Sequence, residues 1–432
     1  MTRPTATPND SNRALTPKLR FPEFRDAMGW PVQPLDSLTS LSKGEQLDAS
    51  DKDKGGRYPH YNGGISPSSS THKANREANT IIISEGGNSC GYVQFIRQPF
   101  WSGGHCYSLE PRPQVNTLAL FYALQAKQQD IMALRIGSGL PNIQKSTLQK
   151  FELALPNLER EQQKIAECLS TLDELIGAES QKLDALKAHK KGLMQQLFPR
   201  EGETLPRLRF PEFHSAPEWG VKKLDHLADF QSGGTPSKAN PAFWSGSFPW
   251  VSAKDMKQLF LEDAEDHISD AAVDDGAKLV PVGTLLMLVR GMTLLKDVPI
   301  CVVRREMSFN QDVKALHPAK GVDGLFLALL LTSAKDRLLE MVTVAGHGTG
   351  KLDTDELKAM ELMLPSPAEQ RRIATCLTSL DDLIAAQSDR LAALQTHKQG
   401  LLQQLFPGVA GASSSSAETR EQDAPATLAS AP

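Results

Sequence analysis

The chain has 432 residues, of which 40% are hydrophobic and 23% are charged, a composition typical of a globular protein with two to four domains. Its formal net charge of −4 excludes the class of proteins that bind nucleic acid or a membrane surface through a high overall positive charge. The longest apolar run covers only residues 325–331, far fewer than the ~20 needed to span a bilayer, and the N-terminus has no apolar signal segment. Five cysteines without CxxC spacing favour a reducing compartment. We therefore expect a cytoplasmic protein.

Both ends of the chain are predicted to be disordered tails, because they lack hydrophobic periodicity and are rich in small and polar residues. The predicted regions in chain order are a tail at 1–18, a first domain at 19–158, a long helix at 159–199, a second domain at 200–367, a second long helix at 368–407 and a tail at 408–432.

A tandem repeat organises the chain between the tails. The sequence LRFPEF occurs at Leu19–Phe24 and again at Leu208–Phe213. Residues 161–199 align without gaps to residues 369–407, with 24 of 39 positions identical. Self-similarity of this kind indicates a duplication. The chain is therefore predicted to be one unit of domain plus helix, used twice.

The segments between the repeated blocks, 29–155 and 219–364, resemble each other only at their ends. Apolar runs followed by glycine turns, such as 81–91 and 285–293, predict strands and loops in both. We expect two α/β (α+β) domains of mixed sheet and helices, related by a pseudo-two-fold repeat. Similar scaffolds with different surfaces are expected when each copy recognises something different.

Each repeated block is predicted to be a long helix with a hydrophobic seam. Apolar positions recur at alternating steps of four and three residues, which is the heptad pattern of a coiled coil. Neither helix can bury its own seam, so we expect the two helices to pair. The seam positions are Ile165, Leu169, Leu172, Ile176, Leu183, Leu186, Leu193 and Leu197 in the first helix, and Ile373, Leu377, Leu380, Ile384, Leu391, Leu394, Leu401 and Leu405 in the second.

The polar seam positions favour an antiparallel pairing. A parallel pairing in equal register would place Lys190 against Lys398 in a partly dry site. An antiparallel pairing places Lys190 against Leu380, along which its stem can lie. The acidic first half of the first helix, 159–179, would then lie beside the basic second half of its partner. The alternative is two core helices of separate globular domains.

The sequence contains no catalytic constellation. Residues 346–351 (GHGTGK) lack the spacing and the following Ser or Thr of a Walker A motif, and GxGxxG, HExxH, paired CxxC and Asn/Asp-Pro-Pro-aromatic motifs are absent. Cys90, His105 and Cys106 lack the paired spacing of a metal site, so buried or incidental side chains are the better interpretation. We therefore expect no catalytic residue, metal or cofactor in this chain.

Candidate DNA contacts are concentrated in the two divergent segments. Arg and Lys pair with guanine and Asn or Gln with adenine in the major groove, whereas glycine loops followed by polar residues suit the phosphate backbone. Solvated loop side chains, capping groups and ordinary turns into a helix are the alternatives for each. The candidates are Tyr58, Tyr61, Asn62, Asn88, Arg97, Trp101, His105, Asn142, Lys145, Lys254, Arg290, Lys296, Asn310, Gln311, Lys314, Lys351 and Thr354.

The order of domain, long helix, domain and long helix resembles the specificity subunit of type I restriction-modification enzymes. The resemblance covers about residues 19–407. It is carried by the LRFPEF segments, by the helix endings KKGLMQQLFP (190–199) and KQGLLQQLFP (398–407), and by RGMTL (290–294) and NQDVKAL (310–316). The low-complexity C-terminal tail departs from the family pattern.

This resemblance implies a non-catalytic subunit with two target recognition domains, each reading one half of a split, asymmetric site in double-stranded DNA. It implies that an antiparallel coiled coil separates the domains, that two methyltransferase subunits bind the chain, and that restriction (ATPase and nuclease) subunits join the full complex. That complex would be a DNA adenine methyltransferase and an ATP-dependent endonuclease. S-adenosylmethionine, ATP and Mg²⁺ would belong to the partner subunits.

Two other functions remain compatible with the residues. A coiled-coil adaptor would present two protein-binding domains and would not bind DNA. A self-contained nuclease or methyltransferase would turn over substrate without partners. DNA binding that weakens steeply with salt separates the first alternative from a DNA reader.

Overall fold

The computed structural model describes residues 14–53, 55–137, 139–344 and 348–409. By their internal contacts these residues form two units. Unit 1 contains the chain up to residue 180 and from residue 389 onward, and unit 2 contains residues 181–388. Each unit thus combines one divergent segment with the first half of one long helix and the second half of the other.

Among its described residues, unit 1 has three small sheets. Their strands are β1 (Ala14–Leu15), β2 (Trp30–Pro34), β3 (Thr39–Lys43), β4 (Tyr58–Tyr61), β5 (Ser69–Thr71), β6 (Thr80–Ser84), β7 (Val93–Ile96), β8 (Trp101–Ser102), β9 (Cys106–Pro111) and β10 (Glu152–Ala154). The central sheet, β3-β9-β6-β7, is antiparallel, and Ile81 lies opposite Leu109 in its buried centre. The sheet β5-β4-β8 contains a parallel pair in which His60 lies opposite Trp101, and β2 is flanked by β1 and β10.

The described part of unit 1 contains the start of five α-helices: α1 (Leu35–Leu38), α2 (Thr117–Ala126), α3 (Gln128–Ala133), α4 (Lys145–Gln149) and α5 (Glu159–Leu197). Helix α2 packs in the core, with all its residues from Ala119 to Leu124 buried. The Asn116 side chain caps it by accepting from the backbone N–H of Ala119.

Unit 2 has a larger sheet system. Its strands are β11 (Gly220–Lys223), β12 (Ala228–Ser232), β13 (Phe248–Val251), β14 (Phe260–Leu261), β15 (Asp266–Ile268), β16 (Leu279–Val280), β17 (Leu285–Leu288), β18 (Arg290–Gly291), β19 (Ile300–Val303), β20 (Met307–Phe309), β21 (Val313–Pro318), β22 (Thr343–Val344), β23 (Gly350–Lys351) and β24 (Glu361–Leu364). The sheet orders are β12-β21-β17-β19-β14, β15-β13-β20-β16, β18-β23-β22 and β11-β24. Two pairs, β13 with β20 and β14 with β19, are parallel.

The helices of unit 2 repeat the plan of unit 1. They are α6 (Asp270–Asp274), α7 (Gly324–Ser333), α8 (Lys335–Glu340), α9 (Thr354–Ala359) and α10 (Pro367–Leu405). Buried helix α7 corresponds to α2, and Asp323 caps it by accepting from the backbone N–H of Phe326. The side chain of Gln370 also accepts from the backbone N–H of Asp323, as Gln162 does from that of Asn116. In each unit the start of a long helix therefore holds the start of the buried helix.

The repeated LRFPEF segments bind to the long helices in the same way in both units. In unit 1, Arg20 forms two hydrogen bonds to the Glu161 carboxylate, at 2.7 and 2.8 Å. In unit 2, Arg209 forms the same two bonds to Glu369, both at 2.8 Å. Both glutamates are only 1% exposed. The identical residues of the repeat are therefore explained in part by a buried ion pair that each unit requires.

The long helices are confirmed, and the pairing within each unit is antiparallel. In unit 1, Asp173 binds Lys398 at 2.6 Å and Glu179 binds Arg390 at 2.8 Å, so residue numbers rise along α5 as they fall along α10. In unit 2 the seam lysine Lys190 binds a carboxylate, that of Asp381. The expectation that Lys190 lies against a leucine is therefore incomplete, because an acidic residue next to the leucine neutralises it.

One contact at the helix seam differs between the units. In unit 1 the buried Tyr122 hydroxyl donates to the second oxygen of Asp173 at 2.8 Å. Burial and this carboxylate raise the pKa of Tyr122. Alignment of α2 with α7 places Leu329 at the Tyr122 position, and in the described part of the chain Oδ2 of Asp381 has no hydrogen-bond partner. Unit 1 thus has a satisfied polar network where unit 2 has an unsatisfied oxygen.

Tyr122→Phe is expected to lower the free energy of unfolding by about 1–3 kcal/mol, because it removes the hydrogen bond that the half-buried Asp173 carboxylate accepts from the buried Tyr122 hydroxyl. Urea unfolding of the full chain, followed by circular dichroism, measures the change. Tyr58→Phe, at a half-buried tyrosine on β4, is the matched control and should shift stability by less than about 0.5 kcal/mol. Equal effects of the two substitutions would contradict the network.

Part of the predicted N-terminal tail is ordered in the structure. Residues 14–18 of the predicted N-terminal tail are described, and Ala14–Leu15 pair with Trp30 and Pro31, so this part is ordered. Residues 1–13 and 410–432 of the predicted tails lie outside the described residues. Within the described ranges, no helix has the length and apolar character needed to cross a membrane.

Candidate nucleic-acid interface

In unit 1 several of the predicted contacts meet at one group of loops. The backbone N–H of His105 donates to the side-chain oxygen of Asn62 at 3.3 Å, and that of Gly103 donates to the carbonyl of Tyr61 at 2.7 Å. The loop after β4 and the turn between β8 and β9 therefore present one surface. On this surface His105 is exposed, whereas Asn62 and Tyr61 are half-buried.

Glu85, which was not predicted, lies at the centre of this surface. Its carboxylate binds Lys43 at 2.6 Å and the Tyr107 hydroxyl at 3.0 Å, and it lies 3.8 Å from Nδ1 of His105. Burial and this carboxylate raise the pKa of Tyr107, which therefore stays a hydrogen-bond donor. A carboxylate held in this way can accept a hydrogen bond from the amino group of cytosine.

A second pair of loops extends the surface. Gly86 and Asn142 form an isolated bridge, and the backbone N–H of Gly87 donates to the carbonyl of Pro141 at 3.0 Å. Asn88 and Asn142 are exposed there, and exposed Lys145 begins helix α4 nearby in the chain. The predicted glycine turn 137–139 leads into this surface, although residue 138 lies outside the described residues.

The aromatic candidates of unit 1 have structural partners, and Arg97 lies elsewhere. Trp101 donates its indole N–H to the carbonyl of Glu45 at 2.9 Å, and Tyr58 carries the Arg57 guanidinium over its ring. Arg97 lies over the ring of Phe95, and its charge acts on Tyr122 of helix α2. The structure therefore does not bring Arg97 together with the loop surface.

In unit 2 three cationic side chains lie near Lys314, and one of them, Arg290, is a predicted candidate. Lys314 lies on β21, is half-buried and donates to the hydroxyl of Ser232 on β12. Burial and the charges of Lys358, Lys278 and Arg290 lower its pKa. Lys358, Lys278 and Arg290 therefore lie near enough to Lys314 for their charges to act on it. We call these four residues the Lys314 cluster.

Three further candidates lie around the small sheet β18-β23-β22. Lys351 lies opposite Arg290 in the antiparallel pair of β18 and β23. Its ammonium group is 3.5 Å from the Asp353 carboxylate. Thr354 is the first residue of α9 and is half-buried, and Lys296 is exposed after the 3-10 turn Met292–Leu295. The predicted turn 346–348 is described only at Gly348.

Two candidates of unit 2 have environments that differ from the prediction. Asn310 is buried, and its side-chain oxygen accepts from the backbone N–H of Asp312 at 3.1 Å, so it shapes the loop. Lys254 lies in an acidic loop, 2.9 Å from Asp266 and 3.2 Å from Glu265. These carboxylates raise the pKa of Lys254 and neutralise its charge. Both side chains therefore have partners within the fold.

Sequence reasoning missed Lys278 and Lys358, because they come from segments remote from Lys314 in the chain. Lys358 lies on helix α9, and its ammonium group lies 5.7 Å from the centre of the Phe230 ring. No local motif marks either lysine. Among the described residues, no group of three or more His, Cys, Asp or Glu side chains is arranged to hold a metal ion.

Comparisons with known proteins agree with this architecture. The family model "Type I restriction modification DNA specificity domain" matches residues 28–188 and 217–396. The EcoR124I/EcoR124II specificity subunit of Escherichia coli is 31% identical over 168 residues, which is 38% of this chain and 41% of that protein. A putative type I specificity subunit of Mycoplasma genitalium is 25% identical over 407 residues, covering 91% of this chain and 97% of that one.

Solved structures show the same fold. The crystal structure of a type I restriction-modification S subunit from M. genitalium matches with a TM-score of 0.65 and 23% identity, over 91% of this chain and all of that chain. A structure described as the basis of complex assembly and conformational transition of the type I system matches with a TM-score of 0.55 and 16% identity, over 88% of this chain and 98% of that one.

Proposed function

The chain belongs to the DNA specificity subunits of type I restriction-modification systems, and from that premise we propose that it reads a bipartite, asymmetric site in double-stranded DNA, with one unit for each half-site. A subunit of this family recognises the target within the restriction-modification complex and is not its catalytic component. The proposal assigns the loop surface around Glu85 to one half-site and the surface around the Lys314 cluster to the other.

The Lys314 cluster is the observation that carries this proposal. Lys314 lies near three other cations, an arrangement that costs folding free energy unless an anion lies among them, and DNA offers closely spaced phosphates. The whole of unit 2's divergent segment, 219–364, has 16 basic and 20 acidic residues, so the positive charge is local. A local cation cluster on an acidic segment indicates a site for a polyanion.

The chain works as part of a type I complex, and we propose that two methyltransferase subunits bind it through repeated surfaces. Two copies of one partner need two equivalent surfaces, which a duplicated chain supplies. Leu175 on α5 is 39% exposed and the matching Leu383 on α10 is 55% exposed, each within its own unit. Exposed leucines at matched positions are suited to an identical partner in each unit.

The remaining partners follow from the same premise. We propose that restriction subunits join the methyltransferase complex, and that S-adenosylmethionine, ATP and Mg²⁺ bind to the partner subunits. The assembled complex would methylate adenine and cleave DNA with ATP, in the cytoplasm, where chromosomal and invading DNA are found.

Salt dependence of DNA binding tests the proposal. For the chain with its methyltransferase subunits, log Kd should rise linearly with log salt concentration, and Lys314→Gln should reduce the slope by about one, because one phosphate contact is lost. Fluorescence anisotropy with a labelled duplex between ~50 and ~300 mM salt measures both slopes.

Lys254→Gln is the matched control, since Lys254 is already neutralised by Asp266 and Glu265 and should leave the slope unchanged. Equal slopes for Lys314→Gln and the unmodified complex would show that the Lys314 cluster is not part of the DNA interface. Absence of salt-dependent binding altogether would favour the adaptor alternative. Turnover by the chain alone with S-adenosylmethionine, or with ATP and Mg²⁺, would favour a self-contained enzyme.

A further inference from the structure

Two loops cross at the same place in both units. In unit 2 the backbone N–H of Gly234, in the loop after β12, donates to the carbonyl of Phe309 at 3.0 Å. In unit 1 the N–H of Glu45, in the loop after β3, donates to the carbonyl of Ser102 at 2.8 Å. The crossing strand segments match as well, because β12 pairs with β21 as β3 pairs with β9. We call each such place the loop crossing of its unit.

A glycine and a tryptophan hold each loop crossing. A Cβ atom on Gly233 would overlap the carbonyl oxygens of Phe309 and Asn310, and one on Gly44 would overlap those of Ser102 and Gly103. Both positions therefore exclude any other residue at this backbone separation.

In both units an indole N–H donates a hydrogen bond to the equivalent backbone carbonyl of the loop. Trp250 donates to the carbonyl of Gly234 at 2.9 Å, and Trp101 donates to that of Glu45 at 2.9 Å. The tryptophans come from non-equivalent strands, β13 and β8, so the anchoring is retained although the residues that supply it differ.

Each loop crossing carries one exposed glutamine, although from opposite loops. In unit 2, Gln311 accepts a hydrogen bond on its side-chain oxygen from the Thr235 hydroxyl at 2.6 Å. In unit 1 the position equivalent to Thr235 is Gln46, and the position equivalent to Gln311 is Gly104. A Cβ atom on Gly104 would lie 3.5 Å from the side-chain oxygen of Gln46. The two units thus place a carboxamide at the same point of the fold.

The surroundings of both glutamines are those of the proposed DNA surface. The backbone N–H of Arg290, a member of the Lys314 cluster, donates to the carbonyl of Asp312, next to Gln311. In unit 1, Gly104 is followed by His105 and Gly44 is preceded by Lys43, and both of these side chains lie near Glu85. Each carboxamide therefore lies beside cationic or hydrogen-bonding groups suited to DNA.

We propose that these glutamines are the matched base-reading residues of the two half-sites, with Gln311 and Gln46 each recognising one adenine in the major groove. The proposal rests on the proposed function and adds to it the residues that set specificity. A glutamine carboxamide pairs with adenine by accepting from N6 and donating to N7. Thr235 occupies one lone pair of the Gln311 oxygen, which leaves the other lone pair and the NH₂ group for the base.

The rigid backbone explains why the fold keeps this arrangement. A side chain held in its binding geometry loses less conformational entropy when it meets the base, and a displacement of about 1 Å is enough to lose a site's selectivity. The close glycine contact and the hydrogen bond from the indole supply that rigidity, and neither uses the glutamine side chain that contacts the base.

The test is the sequence motif methylated by the chain in complex with its methyltransferase subunits, determined on a library of duplexes. Gln311→Ala should make one adenine position of one half-site degenerate, with discrimination falling about 10- to 100-fold, and should leave the other half-site unchanged. Gln46→Ala should do the same at one position of the other half-site. Thr235→Val should give a smaller loss at the Gln311 position, because it releases the carboxamide without removing it.

Gln258→Ala, at an exposed glutamine in the acidic loop of unit 2, is the matched control and should leave the motif unchanged. A bipartite motif that Gln311→Ala leaves intact overturns this inference and leaves the proposed function standing. Uniform loss of methylation at every position, with no change in the motif, also overturns it, since a phosphate contact would then explain the residue. A native complex that methylates no defined motif overturns the proposed function itself.

Discussion

Glu161→Ala is expected to lower the free energy of unfolding by about 3–5 kcal/mol, the cost of leaving a buried charge without its partner. Glu161 receives two hydrogen bonds from Arg20 and one from the indole of Trp30, at 3.2 Å, and both charged side chains are almost fully buried. An arginine side chain is not deprotonated in proteins, so the Arg20 guanidinium stays charged in the variant and is buried without its carboxylate partner. Urea unfolding of the full chain measures the loss.

The repeat supplies both a replicate and a control for this experiment. Glu369→Ala removes the equivalent pair with Arg209 in unit 2 and should cost a similar amount. Glu23→Ala and Glu212→Ala remove exposed ion pairs from the same LRFPEF segments, with Lys164 and Arg372, and should each cost less than about 1 kcal/mol. A loss in Glu161→Ala no larger than in Glu23→Ala would show that the buried pair is not needed for stability.

The helices and their pairing were predictable because a heptad pattern is a local signal. The seam predicted both long helices and their antiparallel direction from the positions of two lysines. It did not reveal that Asp173 and Asp381 neutralise those lysines, since each acid lies one residue beyond the position expected to face the lysine. A pattern of apolar residues predicts which face of a helix is buried. It does not predict which charged residue of the partner helix forms an ion pair with a polar residue in the seam.

The sheets were predictable only as short strands, because their pairing is remote in the chain. The parallel pair of β4 and β8 joins His60 to Trp101, and that of β13 and β20 joins Trp250 to Ser308. Nothing local in the sequence specifies either pairing. This is why the duplication could be recognised from the repeated LRFPEF segments and the repeated helix blocks, whereas the loop crossings could not be recognised.

The candidate interface was predictable by residue type but not by environment. Lys254 and Lys314 look alike in the sequence, yet the first forms ion pairs with two carboxylates, whereas the charges of three other cations act on the second. Asn310 and Gln311 are neighbours, yet the first is buried and shapes the loop while the second is exposed. Gln46 carried no signal, because its significance depends on Gly104 more than fifty residues away.

Lengthening the long helices should change the spacer of the recognised DNA site and leave its half-sites unchanged. The matched insertion is seven residues after Ser180 in α5 and seven after Ser388 in α10, the borders between the two units. Seven residues preserve the heptad phase, and every pairing within a unit, such as Asp173 with Lys398, is retained. At ~1.5 Å per residue the insertion adds about 10 Å, so the spacer should grow by one to about three base pairs.

The methylated motif of the complex measures this effect, and methylation of sites with the original spacer should fall at least about tenfold, because two half-sites can no longer be bound together. An insertion of seven residues in the exposed segment 200–202, which lies outside both helices, is the control and should leave the spacer unchanged. A changed half-site would contradict independent reading by the two units. An unchanged spacer would contradict the hypothesis that the long helices set the spacer length. Each unit would then bind its half-site independently of the length of α5 and α10.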